Sequence, residues 1–120
     1  MPSRRQETGA GGEEAAAEAL RRSGYEILAR NLRTPFGEID LLALDDDGVL
    51  CFVEVKTRSS DAFGHPAEAV TPAKQAHLKK AAAAVLQHRR WDGPCRFDVV
   101  AVMPGEDGQP AVEIFPDAFS

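Results

Sequence analysis

The sequence predicts an α/β fold: one domain built on a central, mixed five-stranded sheet flanked by helices, in the order α-β-β-β-α-β-β. Two observations predict it. Five short apolar runs, each bounded by Gly, Pro, Asp or Ser, have the length and composition of strands. Two longer segments carry helical spacing with start or stop signals, and strands alternating with helices imply a sheet with helices on its faces.

Each element has its own justification. Residues 1–11 are polar and Gly-rich and read as a flexible tail, leaving 12–120 as the single domain. A first helix fits Gly12 to Ser23, rich in Ala and Glu and stopped by Gly24. Tyr25–Thr34 reads as a strand ended by Pro35 and Gly37, and two further strands follow at Glu38–Leu44 and Val49–Thr57. After a loop from Ser59 to Val70, a second helix runs from Thr71 to about Arg90, with Thr71 as N-cap and Pro72 at its first position. Arg96–Met103 and a short Ala111–Phe115 complete the set, joined through the turn-rich PGEDGQP.

Composition narrows the function classes. A hydrophobic content of 43% and a charged content of 28% are those of a globular protein. No apolar run follows the basic residues of MPSRRQETGAGG, and no segment approaches the ~20 apolar residues that span a bilayer. Cys51 and Cys95 match no metal spacing and are expected to be buried free thiols, which points to the cytoplasm. The net charge of −5 is unevenly spread. Residues 71–90 hold Lys74, Lys79, Lys80, Arg89 and Arg90 without a single acid. Local charge decides where a polyanion docks, so these five, with Arg58, are the candidate phosphate contacts. The plainer reading of such a run is a solvated helix face.

The chemistry concentrates in GEIDLLALDDDGVLCFVEVKTR, Gly37 to Arg58. Asp40 interrupts one strand and Glu54 and Lys56 the next, and an unpaired buried charge is costly. A three-residue turn Asp46-Asp47-Gly48 pairs Leu44 with Leu50, Leu42 with Phe52 and Asp40 with Glu54. Two carboxylates then stand opposite each other and repel, and a divalent cation between them removes the penalty. Oxygen donors suit Mg²⁺ or Mn²⁺, and a lysine on the same face can balance charge developing on a phosphate. With no Ser or Cys placed beside a His base, metal-assisted phosphodiester hydrolysis is the chemistry that fits. In this reading Asp40 and Glu54 are catalytic metal ligands, the Val55 carbonyl a third ligand, and Lys56 the catalytic lysine. The alternative is a structural Glu–Lys pair with Asp40 at a sheet rim.

GEIDLLA followed by FVEVKTR resembles the YraN-like family of small bacterial proteins, a branch of the PD-(D/E)xK, restriction-endonuclease-like superfamily. The resemblance extends over GEEAAAEALRRSGYEIL (Gly12–Leu28), AVTPAKQAHL (Ala69–Leu78) and RFDVVAV (Arg96–Val102). It implies a fold similar to Holliday-junction resolvases and Mg²⁺-dependent cleavage of structured, branched or single-stranded DNA. Asp40 and Glu54 match the superfamily's metal carboxylates and Lys56 its lysine, while Ile39 stands where a proline often precedes the aspartate. Glu13 matches an acidic residue of the first helix that completes such sites. The helical stripe of Glu13, Ala16, Ala17 and Leu20 independently points that acid inward, although a first-turn Glu is also favoured by the helix dipole.

Glu38 faces as Asp40 does and could hold a metal water or Lys56. Gln75, on the stripe of Leu78, Ala82 and Leu86, could orient a water or phosphate, or satisfy a nearby backbone group. DNA is the implied partner. A second functional class competes: an accessory nucleic-acid-binding module with cleavage lost or licensed by a helicase or other DNA-processing protein. The oligomeric state stays open, a homodimer included.

Overall fold

The computed structural model describes residues 4–57, 70–105 and 108–120, with side chains from Gly12 onward. Its elements are α1 (Arg4–Arg22), β1 (Glu26–Thr34), β2 (Gly37–Leu44), β3 (Leu50–Thr57), α2 (Pro72–Arg89), β4 (Cys95–Pro104) and β5 (Pro110–Phe119). That is the expected order in one domain. The five strands form a single sheet, β1-β2-β3-β4-β5. All neighbours are antiparallel except β3 and β4, which run parallel across the α2 crossover.

Two boundaries differ from expectation. The first helix starts at Arg4 instead of Gly12, so residues 4–11 continue its backbone rather than forming a tail. Arg, Gln, Glu and Ala are good helix formers, and the intervening glycines weaken a helix without ending it. β5 runs past Phe115 to Phe119, through Pro116 and a left-handed Asp117 at φ 53°. Tertiary contacts hold that extension. The Asp117 amide donates to Asp98 Oδ1 at 2.9 Å, and Phe119 pairs with Phe97, ring centroids 4.9 Å apart.

Each helix covers one face of the sheet. α1 presents Ala16, Ala17 and Leu20 to Leu41, Ala43, Cys51, Val53, Val100 and Val102. α2 presents Leu78, Ala81, Ala82 and Val85 to Ile39, Leu42, Leu50, Phe52 and Val99. The α2 entry is built as expected: the Thr71 side chain accepts from the Lys74 amide at 3.2 Å and Pro72 opens the helix. Arg90 closes it in a left-handed cap at φ 55°.

The far end of the sheet is tied by Arg96. Its guanidinium donates to Asp98 Oδ1 at 2.9 Å, Asp45 Oδ2 at 2.7 Å and the Tyr25 hydroxyl at 2.8 Å. Asp45 in turn accepts the Asp47 and Val49 amides, so one network joins the β2–β3 turn, β4 and the start of β1. Asp98, fully buried, is a structural anchor with every neighbour it needs. Cys51 is buried and burial pushes its thiol up to about 12, but Cys95 is exposed, against expectation. It opens β4 beside the exposed Pro94 and Gly93, outside both cores. Among the described residues no helix is long and apolar enough to cross a membrane.

Candidate metal centre

The β2–β3 hairpin forms in the expected register, Leu44 with Leu50 and Leu42 with Phe52. Asp45 closes it, its amide donating to the Val49 carbonyl at 3.0 Å, and Gly48 takes the left-handed position at φ 84°. The ladder stops at Leu41–Val53, one step short of the expected Asp40–Glu54 pair. Instead the Asp40 side chain replaces the backbone: its Oδ2 accepts the Val55 amide at 2.8 Å. β2 inverts there. Ile39 feeds the α2 core and Leu41 the α1 core, although residues two apart on a regular strand share a face. Asp40 is the residue between them, and Asn31, between the β1 partners of Ile39 and Leu41, is left-handed at φ 49°.

This inversion lets Asp40 meet acids from both sides. Carboxylate oxygens of Glu13, Glu38 and Asp40 lie within 4.8 Å of one another. Gly12 brings Glu13 there, because α1 crosses the end of β3 so closely that a Cβ on Gly12 would lie 2.6 Å from Thr57 Oγ1. The Glu13 pKa is raised by partial burial and then by the Asp40 and Glu38 charges, while a hydrogen bond with Asn31 and the Arg30 charge oppose the rise. Arg30 itself is held by Glu14.

Glu54 reaches Asp40 from β3. It is only 5% exposed. Burial first, and then its hydrogen bond with Asp40 and the Asp40 charge, push its pKa up to about 8. Its Oε2 has no hydrogen-bond partner, and Lys74 Nζ stands 3.5 Å away as a bare ion-pair contact. Lys56, half-buried on the same strand face as Glu54, acts on it electrostatically in the same sense as Lys74. The donor set is all oxygen, and it is short of positive charge. Hard divalent cations fit it.

The structure thus gathers Asp40, Glu54, Lys56, Glu13 and Glu38 at one end of the sheet. The part of Val55 seen in this geometry is its amide, which anchors Asp40. Gln75 is drawn away: its Nε2 donates to the Val70 carbonyl at 2.9 Å, and among the described residues no contact ties it to the acids. The inward stripe of α2 is Leu78, Ala81, Ala82 and Val85, and Lys74 extends it by one turn toward Glu54. Lys74 thus stands beside Glu54 rather than in an outward row, and the i, i+4, i+7, i+8, i+11 spacing from position 74 is the signal that reveals it. Lys79 and Lys80 are exposed. Arg89 and Arg90 lie about 22 Å or more along the helix from Lys74, away from the acids. Arg58 falls outside the described residues. Asn31, which hydrogen-bonds Glu13, and Arg30, whose charge acts on it, carry no signal in the local sequence. A second acidic group, Asp45, Asp46 and Asp47, is already engaged through Asp45 with Arg96.

Residues 12–102 match the model of a family described as "Uncharacterised protein family UPF0102". The chain belongs to UPF0102. This is the YraN family, so the resemblance read from GEIDLLA and FVEVKTR is borne out. The UPF0102 match starts at Gly12, the glycine that seats α1 on Thr57, and ends in β4. A UPF0102 protein of Symbiobacterium thermophilum is 53% identical over 92% of this chain and 94% of its own length. Another, from Syntrophomonas wolfei, is 48% identical over 94% of this chain and 97% of its own. Among solved structures, a repair endonuclease from Pyrococcus abyssi aligns with 90% of this UPF0102 chain at 17% identity and a TM-score of 0.42. EndoMS in complex with double-stranded DNA aligns with 72% at 18% identity and a TM-score of 0.39. This chain spans 41% and 34% of those two, and overlaps that loose carry no functional weight.

Proposed function

We propose that this UPF0102 protein is a Mg²⁺- or Mn²⁺-dependent nuclease that hydrolyses phosphodiester bonds in structured, branched or single-stranded DNA. One observation carries the reading: three carboxylates from α1 and β2 converge within 4.8 Å, next to a buried glutamate whose Oε2 lacks a hydrogen bond. Such a set is unfavourable by itself and is relieved by a cation. Asp40, Glu54 and Glu13 hold it, with Glu38 beside them and the Val55 carbonyl a further donor. When bound, the cation supplies Lewis-acid charge to a phosphate and lowers the pKa of a water.

The chain's own groups do the rest. The Val55 amide fixes Asp40 beside Glu13 and Glu38. Lys56 and Lys74, from β3 and α2, bring positive charge to the side of Glu54 and counter charge growing on the phosphate. Exposed Lys79 and Lys80 hold DNA farther along the strand. The test is cleavage of a panel of DNA structures with and without Mg²⁺. Wild type cuts at least one substrate only with the cation, and Lys56→Ala does not cut it. Equal cleavage by Lys56→Ala, or none by wild type on any substrate, refutes the proposal.

A second reading has one observation in its favour. Glu54 pairs with Lys74 at 3.5 Å and lies against Asp40, contacts that would also serve an accessory module that waits for a partner such as a helicase. That reading predicts DNA binding by wild type without cleavage until the partner is added.

A further inference from the structure

Phe36 is the one large apolar side chain exposed among the described residues, at 48%. Phe52, Phe97, Phe115 and Phe119 all pack in or against the α2-side core, whereas Phe36 belongs to neither core. It sits at the tip of the β1–β2 hairpin. Pro35 and Gly37 flank it in the positions that favour a type I turn. The Thr34 hydroxyl donates to the Gly37 carbonyl at 2.8 Å and accepts the Phe36 amide at 3.1 Å, lacing the turn from inside. Gly37, at φ 136°, takes a conformation closed to other residues. A ring left about half exposed on a laced turn adds to neither core.

Its neighbours say what it meets. Two residues on, roughly 7 Å along the strand, stands Glu38 of the carboxylate cluster. Arg33, exposed, pairs across the ladder with Glu38. The tip therefore sets an aromatic face and a guanidinium beside Glu38, at the edge of the carboxylate cluster. Aromatic rings beside basic groups are how proteins hold unpaired bases, because every base offers a π-face. A continuous duplex has none to offer.

We propose that Phe36 stacks on an unpaired nucleobase next to the phosphate held at the carboxylates, so that the substrate is single-stranded or open at that point. This rests on the nuclease reading above and narrows its substrate class. The hairpin acts as a ruler: the acids take the phosphate, Phe36 takes the neighbouring base, and paired DNA fails to satisfy both.

The experiment measures binding of a labelled single-stranded oligonucleotide and of the corresponding duplex, with Ca²⁺ in place of Mg²⁺. It compares wild type, Phe36→Ala and Phe36→Trp. Loss of one stacked base weakens binding roughly tenfold or more. Phe36→Ala is expected to show that loss on the single strand and leave duplex binding unchanged. Phe36→Trp keeps wild-type affinity, and its added fluorescence is quenched by the single strand but not by the duplex. Unchanged single-strand affinity in Phe36→Ala overturns the proposal, as does an equal loss on both DNAs. A wild-type dimer that Phe36→Ala dissociates also overturns it, since a second copy would then cover the ring. Wild type that binds neither DNA refutes the nuclease reading itself, a result distinct from wild type binding with Phe36 irrelevant.

Discussion

Replacing Glu54 by glutamine separates the shape of this side chain from its charge. In the cation-free protein the Glu54 pKa is raised from an ordinary 4.5 to about 8, by burial first and then by its hydrogen bond with Asp40. A folded-state pKa above the unfolded one contributes stability that is complete below about pH 4.5 and is lost as pH rises to about 8. At 1.36 kcal/mol per pKa unit, the ceiling on that loss is about 5 kcal/mol. Small movements of Asp40 and water entering as Glu54 ionises offset part of it, so ~2–3 kcal/mol is the expected fall. Glutamine can still donate to Asp40 and cannot ionise. Urea unfolding in EDTA, at several pH values from 5 to 9, should therefore show wild type losing stability across the range while Glu54→Gln stays nearly flat. A small residual slope from Glu13, raised in the same direction, is common to both proteins. Parallel curves for the two would refute the reasoning, because the pH dependence would then arise elsewhere.

Three further outcomes follow from the same geometry. Asp40→Asn keeps an acceptor for the Val55 amide and removes the charge that repels Glu13 and Glu54, so the cation-free protein should melt no lower than wild type. Its Tm shift on adding Mg²⁺ should shrink, and a full shift with a lower starting Tm would make Asp40 a structural partner. Gly12→Ala puts a Cβ 2.6 Å from Thr57 Oγ1, a close contact that outweighs the helix-propensity gain and should cost ~1 kcal/mol. Adding Thr57→Ala should restore that loss, and a double mutant as unstable as Gly12→Ala would show the contact is not the cause. Arg96→Met leaves the fully buried Asp98 charge without its guanidinium and should cost ~3–5 kcal/mol in a denaturation midpoint. A loss below 1 kcal/mol would mean Tyr25 and the Asp117 amide suffice for Asp98.

Element order and the hairpin register were legible in the linear sequence because both follow from local rules. Pleat alternation, a Gly in the left-handed turn position and a Thr-Pro helix start need no distant partner. Leu42 opposite Phe52 and Leu44 opposite Leu50 come from the turn alone. The same rules put Asp40, Glu54 and Lys56 at one sheet end, and family resemblance added Glu13. Other features depended on contacts that no local rule contains. β5 runs to Phe119 because Asp98 and Phe97 on the neighbouring strand hold it there. Asp40 leaves the ladder because β2 must feed Ile39 to one core and Leu41 to the other, and its carboxylate then takes the Val55 amide. Lys74 turned inward, and Gln75 to the Val70 carbonyl, because the buried stripe of α2 is set by which sheet residues lie beneath it. Local chemistry chose the acids and the turns; packing on two faces of one sheet decided which of them meet.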